Sequence, residues 1–184
     1  MNKFNKIIMC ILNPNFYKAY MNGVAPLFEL YPLLNQMNQI KTIIDIGSNK
    51  GQFSLLGSSI FPAAKIYSFE PQIKCLNLQK IILRGKKVKY FNFGLGNVKK
   101  KANFYITNRE DSSSFLKPTQ IKMDKYKTKQ IQKISITKLD EIIKKSEIKR
   151  PSMIKLDVQG YELEVLKGSK KLLKNIDFII TEIS

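Results

Sequence analysis

The sequence predicts an α/β fold built on a doubly wound, mostly parallel sheet, and three observations support this class. Short runs of β-branched apolar residues, such as residues 42–47, are typical of strands that are buried on both faces. Segments with helical spacing separate these runs, and right-handed crossovers through such helices make the strands parallel. A glycine-rich turn follows the first run and opens the next helix.

The composition indicates a soluble globular protein of one domain. The chain has 184 residues, of which 43% are hydrophobic and 25% charged. Histidine does not occur, which excludes Ser-His-Asp and Cys-His catalysis and histidine-ligated zinc. Cys10 and Cys75 are too few for a disulfide framework, a four-cysteine zinc site or a three-cysteine iron–sulfur motif. We therefore expect a cytoplasmic protein with reduced thiols.

Lysine dominates the formal net charge of +18. Only Arg84, Arg109 and Arg150 among the 32 basic residues are arginine, which leaves 32 − 3 = 29 lysines. A codon bias towards A and T would raise Lys, Ile and Asn together without any charged partner. The alternative is a long-range attraction to RNA, anionic lipid or an acidic glycan. The composition leaves both explanations open.

Residues 1–40 form a predicted N-terminal helical cover ahead of a core domain at 41–184. Leucine and methionine recur at roughly helical spacing in this segment, and three prolines and a glycine interrupt it. The apolar run at 7–12 is six residues long, short of the ~20 that a membrane-spanning helix needs. We interpret the run as the start of a surface helix and expect no membrane span.

The core continues the alternation of strands and helices. After the first strand, a βαβαβ unit is completed by a helix at 52–60, a strand at 65–70, a helix at 71–83 and a strand at 88–93. The alternation resumes later with a helix at 139–145, a strand at 153–158, a helix at 161–174 and a strand at 178–183. These segments supply five core strands.

Residues 97–137 interrupt the alternation. The segments 102–107 and 132–137 have the pattern of half-exposed strands, and a polar, lysine-rich stretch with Ser112, Ser113 and Ser114 separates them. Long loops in compact domains are often functional, so we interpret this stretch as either a lid or a solvated insertion.

The glycine turn at the end of the first strand is a candidate ligand site. Gly47 and Gly51 have the spacing G-x-x-x-G, which matches neither the dinucleotide fingerprint G-x-G-x-x-G nor the phosphate loop. Asp45, just before the turn, would repel a pyrophosphate but suits a ligand with an ammonium group. This charge favours a cofactor that carries an amino acid.

Glu70 closes the second strand, about 20 residues beyond the glycine turn. An acidic side chain at this place accepts hydrogen bonds from both hydroxyls of a ribose. The alternative is an exposed carboxylate at a strand end, without a ligand. Taken with Asp45, Glu70 indicates a nucleoside with a zwitterionic amino-acid tail, and we therefore predict S-adenosylmethionine as the cofactor.

From about Gly23 to Ser184 the sequence resembles the FkbM family of class I, Rossmann-like methyltransferases. Five blocks carry the resemblance, namely IDIGSNKGQF at 44–53, YSFEP at 67–71, LD at 139–140, IKLDVQGYE at 154–162 and TEIS at 181–184. Members of the family often have Glu where this chain has Gln159.

The resemblance implies transfer of a methyl group to a hydroxyl of a sugar, a glycan or a polyketide-type small molecule. It implies that the glycine turn lines the methionine end of the cofactor, that Glu70 meets the ribose, and that the segment after the third strand meets the adenine. The implied cofactor residues are Asp45, Gly47, Ser48, Asn49, Gly51, Phe53, Glu70, Pro71, Gly94 and Leu95.

A base should assist the reaction, because a sugar hydroxyl is a poor nucleophile, and without histidine the candidates are carboxylates and lysine. Asp157, which ends the fourth core strand, is the first candidate, and Glu162 or Glu182 the second. Lys155 shares a strand face with Asp157 and should pair with a carboxylate there, in a catalytic or a structural role. The spacing demands no metal, although a divalent ion at Asp157 and Glu182 is an alternative.

Two other functions remain open on the sequence alone. One is an RNA methyltransferase, which the net charge of +18 suggests. The other is a non-catalytic module with the cofactor fold that binds an anionic partner.

The predicted domain at 41–184 has fewer strands than a class I methyltransferase sheet, which has seven. We therefore expect a C-terminally truncated domain that lacks the terminal strand pair. Its fifth core strand would be an exposed, isoleucine-rich edge, and a homodimer could form through that edge.

Overall fold

The computed structural model describes residues 3–109, 112–117 and 127–181. Its helices are α1 (Lys3–Leu12), α2 (Pro14–Met21), α3 (Tyr31–Leu34), α4 (Gln52–Ile60), α5 (Ile73–Ile82), α6 (Leu139–Ile142), α7 (Glu162–Lys167) and α8 (Lys170–Leu173), with 3-10 helices at Phe28–Leu30 and Lys145–Glu147. Its strands are β1 (Thr42–Ile46), β2 (Lys65–Phe69), β3 (Val88–Phe91), β4 (Gly94–Leu95), β5 (Lys100–Thr107), β6 (Thr128–Thr137), β7 (Ser152–Leu156) and β8 (Phe178–Thr181).

Five parallel strands form the central sheet in the order β3-β2-β1-β7-β8. Ile44 in β1 pairs with Tyr67 of β2 on one side and with Ile154 of β7 on the other. Strands β1 and β7 are buried along their whole length, since apolar clusters cover both faces of the sheet. The predicted fold class is confirmed. Because the strand order reverses between β1 and β7, a crevice opens at the carboxyl ends of these strands.

A second, smaller sheet has the order β4-β6-β5. Strands β5 and β6 are antiparallel and form the two half-exposed strands that the sequence predicted, although both extend further than predicted. Strand β4 was not predicted, because two residues are too few for a hydrophobic pattern. Through β4 this sheet approaches the crevice of the central sheet.

The N-terminal helices share a core with the central sheet. Phe16 and Ala19 of α2 are buried in one apolar cluster with Leu55 of α4 and Ile66 of β2. The side chain of Asn13 caps α2 by accepting hydrogen bonds from the next backbone N–H groups, with Pro14 in the first turn. The run at 7–12 lies within α1, and no helix among the described residues is long and apolar enough to cross a membrane.

The helix predicted at 161–174 is wrong in one respect, since it divides into α7 and α8 at Gly168. A Cβ atom at Gly168 would lie 1.9 Å from the carbonyl oxygen of Gly96, so the chain passes too close for any side chain. The sequence could not show this approach, because Gly96 is distant along the chain. Strand β8 lies at an edge of the central sheet, where Phe178 and Ile179 are exposed.

Candidate active site

A cleft with about 550 Å³ of empty space, including its open mouth, lies at the carboxyl ends of β1, β2 and β7. Three sequence blocks meet there. The glycine turn after β1 contributes Gly47 and Asn49, the end of β2 contributes Glu70, and the loop after β7 contributes Asp157 and Gln159. Pro71, Gly94 and Leu95 also line the cleft. The structure therefore brings six predicted cofactor residues, Gly47, Asn49, Glu70, Pro71, Gly94 and Leu95, and the predicted base Asp157 to one place.

The glycine turn holds the loops of β1 and β2 together. The backbone N–H groups of Gly47 and Ser48 both donate to the carbonyl oxygen of Phe69, each at 3.1 Å. Gly47 has a φ of 72°, which favours glycine, and a Cβ atom there would lie 1.9 Å from the carbonyl oxygen of Asp157. Only glycine therefore lets the loops after β1 and β7 approach this closely.

The carboxylate of Glu70 is almost fully buried at the edge of the cleft, with 3% of the residue exposed. Its Oε2 accepts from the backbone N–H of Asn49 and its Oε1 from that of Gln72, both at 2.8 Å. Burial raises the pKa of Glu70 to about 7, although the two N–H donors oppose the rise. These two hydrogen bonds hold the Glu70 carboxylate in position in the lining of the cleft.

Glu70 should make the protein less stable as the pH rises from about 4.5 to about 7. In that window the folded state keeps the proton that the unfolded state has lost, so the free energy of unfolding falls, by roughly 3 kcal/mol. Glu70→Gln cannot ionise, so its stability relative to wild type should increase across the window. Urea unfolding of both proteins at the two ends of this range measures the effect, and parallel pH profiles would contradict it.

Asp45 lies beneath the glycine turn rather than in the cleft lining, and it is fully buried. Its Oδ2 accepts from the hydroxyl of Ser54 at 2.6 Å, while its Oδ1 has no hydrogen-bond partner. Desolvation by burial raises the pKa of Asp45, and the nearby Lys155 ammonium opposes that rise. A buried acceptor without a donor is unfavourable.

Lys155 and Asp157 form a pair at the end of β7. The ammonium of Lys155 donates to Oδ2 of Asp157 at 2.9 Å, and the amide of Gln159 donates to Oδ1 at 2.8 Å. Lys155 is 7% exposed, whereas Asp157 retains 26% exposure of its side chain and lines the cleft. Of the four predicted catalytic residues, Asp157 therefore lies in the cleft lining, with Lys155 behind it.

Glu162 and Glu182 differ from Asp157 in position. Oε1 of Glu162 accepts from the backbone N–H groups of Val158 and Gly160, at 3.0 and 3.2 Å, and so holds the loop after β7 in shape. Glu162 is not among the residues that line the cleft. Glu182 lies outside the described residues.

Besides Asp45, three predicted cofactor residues, Ser48, Gly51 and Phe53, are not among the residues that line the cleft. Gly51 has a φ of 83° and begins α4, and Ser48 is buried within 2.7 Å of the Ser68 hydroxyl. Phe53 packs in the apolar cluster with the N-terminal helices, because the first turn of α4 directs its ring towards the sheet.

Sequence reasoning missed Gln79, which is fully buried in α5 and ties the turn together. Its amide donates to the Ser48 hydroxyl at 2.8 Å and to the Asn49 carbonyl at 2.5 Å, and it accepts from Ser68 at 2.6 Å. A polar residue on the apolar side of a helix was the only signal available.

Sequence reasoning also missed Phe115, in the segment at 112–117. The Phe115 ring lies 4.8 Å from that of Phe104 and 5.5 Å from that of Tyr161, between centroids. A Cβ atom at Gly94 would lie 2.4 Å from the Phe115 ring, and the Ser114 hydroxyl donates to the Gln159 carbonyl at 2.9 Å. The described part of this segment, which the sequence predicted to be either a lid or a solvated insertion, therefore forms a wall of the cleft, to which Ser113 and Phe115 contribute.

A second groove, with about 1220 Å³ of empty space including its mouth, adjoins the cleft at Asn49 and Gln72. The hairpin of β5 and β6 forms its other wall. Among the described residues no acidic side chain lines it, and four basic ones do, namely Lys50, Lys74, Arg109 and Lys129. Nor do the described residues contain a group of three metal-ligating side chains.

Fold and site together define a class, a doubly wound α/β protein whose crevice presents a buried acid at the end of its second strand. The family model for the methyltransferase FkbM domain matches residues 45–184, more than half of the chain. The chain therefore belongs to the FkbM methyltransferase family, as the motifs predicted.

Two known methyltransferases are similar to parts of the chain. Hexuronic acid methyltransferase AglP of Haloferax volcanii is 46% identical over 44 residues, which are 24% of this chain and only 18% of that relative. A SAM-dependent methyltransferase from Agrobacterium tumefaciens has a solved structure with a TM-score of 0.31 and 10% identity. That similarity covers 36% of this chain and 22% of the other.

Proposed function

We propose that the chain transfers the methyl group of S-adenosylmethionine to a hydroxyl oxygen of an acidic sugar, free or within a glycan. The observation that carries this proposal is that two acidic residues, Glu70 and Asp157, line one cleft but differ in burial and in hydrogen bonding. The first is buried and fixed by backbone donors. The second is more exposed and can meet a reactant.

The residues around the cleft suit the cofactor. Glu70 would accept hydrogen bonds from the ribose hydroxyls, and Gly94 and Leu95 would border the adenine beside Phe115. Asp45 would attract the ammonium of the amino-acid end by its charge alone, from beneath the glycine turn and without direct contact. When bound, S-adenosylmethionine supplies an activated methyl group on a positively charged sulfur.

Asp157 would accept the proton of the acceptor hydroxyl as the oxygen becomes nucleophilic. Lys155 and Gln159 hold its carboxylate by one hydrogen bond to each oxygen, so the base is oriented before the acceptor arrives. These two donors leave other lone pairs of the carboxylate for the hydroxyl. The aromatic wall at Phe104 and Phe115 would exclude water from the reacting groups.

The adjoining groove supports an acidic acceptor. Lys129, Gln130 and Gln132, which line it, can bind a carboxylate and sugar hydroxyls. The relative from Haloferax volcanii is named for methylation of a hexuronic acid, and its similarity to this chain supports the same acceptor class here.

The direct test is methyl transfer to defined sugars. The protein is incubated with S-adenosylmethionine and either a hexuronic acid glycoside or the matching neutral hexose glycoside, and release of S-adenosylhomocysteine is followed. We expect turnover with the acidic sugar and about tenfold less with the neutral one, since a lost charged contact costs that much or more. Cofactor binding without turnover on any hydroxylated sugar would contradict the proposal.

Glu70→Ala should weaken binding of S-adenosylmethionine by roughly 5- to 150-fold, because an acid that accepts two ribose hydroxyls contributes about 1 to 3 kcal/mol. Calorimetry on both proteins measures the loss. Glu164→Gln is the matched control, because Glu164 pairs with Lys167 on the surface of α7 and is outside the cleft lining. An affinity within about twofold of wild type in Glu70→Ala would contradict the ribose assignment.

A further inference from the structure

The two N-terminal helices expose apolar side chains that the fold leaves unpartnered among the described residues. In α1 the exposed apolar residues are Ile8, Ile11 and Leu12, and in α2 they are Tyr17, Tyr20 and Met21. Leu12 is 76% exposed and Met21 67%. We refer to these six residues as the N-terminal apolar face.

The spacing of the face is helical in both elements. Each set of three follows the pattern i, i+3, i+4, which places its members on one side of a helix. The opposite sides hold Cys10 and Ala19, which are buried in the core. Each helix therefore has two apolar stripes, one packed against the core and the other exposed. An exposed stripe that repeats in two consecutive helices is more than scattered surface hydrophobicity.

The charge around this face is mostly positive. The first 28 residues contain Lys3, Lys6 and Lys18 and no Asp or Glu, and the whole chain has a net charge of +18. Lys6 pairs with Glu29, while Lys18 is exposed beside Tyr17 on α2. A second copy of the chain would meet this region with the same positive charge, so electrostatics oppose self-association here. An anionic surface would be attracted to it.

We propose that the N-terminal apolar face binds the surface of a bilayer that contains anionic lipids. The helices would lie in the plane of the interface, with Ile11, Leu12 and Met21 among the acyl chains and Lys18 at the headgroups. Tyr17 and Tyr20 suit the boundary, where a ring is buried and its hydroxyl stays hydrated. The N-terminal apolar face is separate from the cleft, and its binding would place the proposed methyl transfer at a membrane surface.

Flotation of the purified chain with vesicles tests the proposal, using phosphatidylcholine with or without phosphatidylglycerol. The chain should float with the anionic vesicles and much less with the neutral ones, and added salt should weaken its binding. The paired changes Ile11→Ser with Leu12→Ser, and Tyr20→Ser with Met21→Ser, should each lower the partition coefficient at least about tenfold. Ile81→Ser on α5, another exposed isoleucine, is the matched control and should bind like wild type.

Three results would overturn the proposal. Equal binding to neutral and anionic vesicles would show that charge has no role, and unchanged binding of both paired variants would show that the lysines alone suffice. A wild-type dimer that the same substitutions dissociate, seen by light scattering, would assign the face to a second copy. Urea unfolding of each variant, with a transition like that of wild type, ensures that a lost interaction is not lost folding.

Discussion

Gly47→Ala is expected to destabilise the protein by about 4 kcal/mol or more, enough to unfold much of it. Two costs add at this position. The φ of 72° strains any residue with a Cβ atom, and that atom would lie 1.9 Å from the Asp157 carbonyl oxygen. Neither backbone can yield easily, because the Asp157 N–H donates to the Ile46 carbonyl and the Gly47 N–H to that of Phe69. The loops after β1 and β7 would have to separate.

Gly23→Ala separates these two costs. Gly23 has nearly the same φ, 71°, but a Cβ atom there would meet nothing within 4 Å. This control should lose only about 1 to 2 kcal/mol, the cost of the backbone conformation alone. Urea unfolding of both variants gives the comparison. Equal losses at the two positions would mean that the loops do not approach each other as described.

The sequence predicted those parts of the site that depend on a position within one element. Gly47 follows a buried strand directly, and Glu70 is the residue after another, so the parallel sheet brings both to one edge. The same reasoning placed Asp157 at the end of β7. The backbone geometry at each of these positions depends on residues that are close along the chain, so a short family motif contains it.

The parts that the sequence did not predict depend on contacts between distant segments. Phe115 meets Gly94 and Tyr161 only because the segment after β5 turns back through a bridge between Tyr105 and Ser114. No hydrophobic periodicity in the sequence indicates such a contact. Asp45 shows the complementary limit, since its place in the chain suggested a ligand contact, whereas the fold buries it beneath the turn.

Asp157→Asn is expected to lower turnover by about 100- to 10,000-fold while the affinity for S-adenosylmethionine stays nearly unchanged, if Asp157 is the base of the proposed transfer. Asparagine keeps the shape of the side chain and can still accept from Lys155 through one oxygen. It cannot take a proton from a sugar hydroxyl. Single-turnover methyl transfer measures the chemical step, and calorimetry measures cofactor binding on the same preparations.

Glu162→Gln distinguishes this catalytic role from support of the loop after β7. The substituted amide would keep an oxygen for the N–H groups of Val158 and Gly160, so the loop should hold and turnover should fall by less than about tenfold. Asp157→Asn also removes one charge beside the buried Lys155, so urea unfolding must show that the variant is folded at the assay temperature. Near-normal turnover of a folded Asp157→Asn variant would leave Asp157 as a structural partner of Lys155. A large loss of turnover in a correctly folded Glu162→Gln variant would identify Glu162 as the base instead.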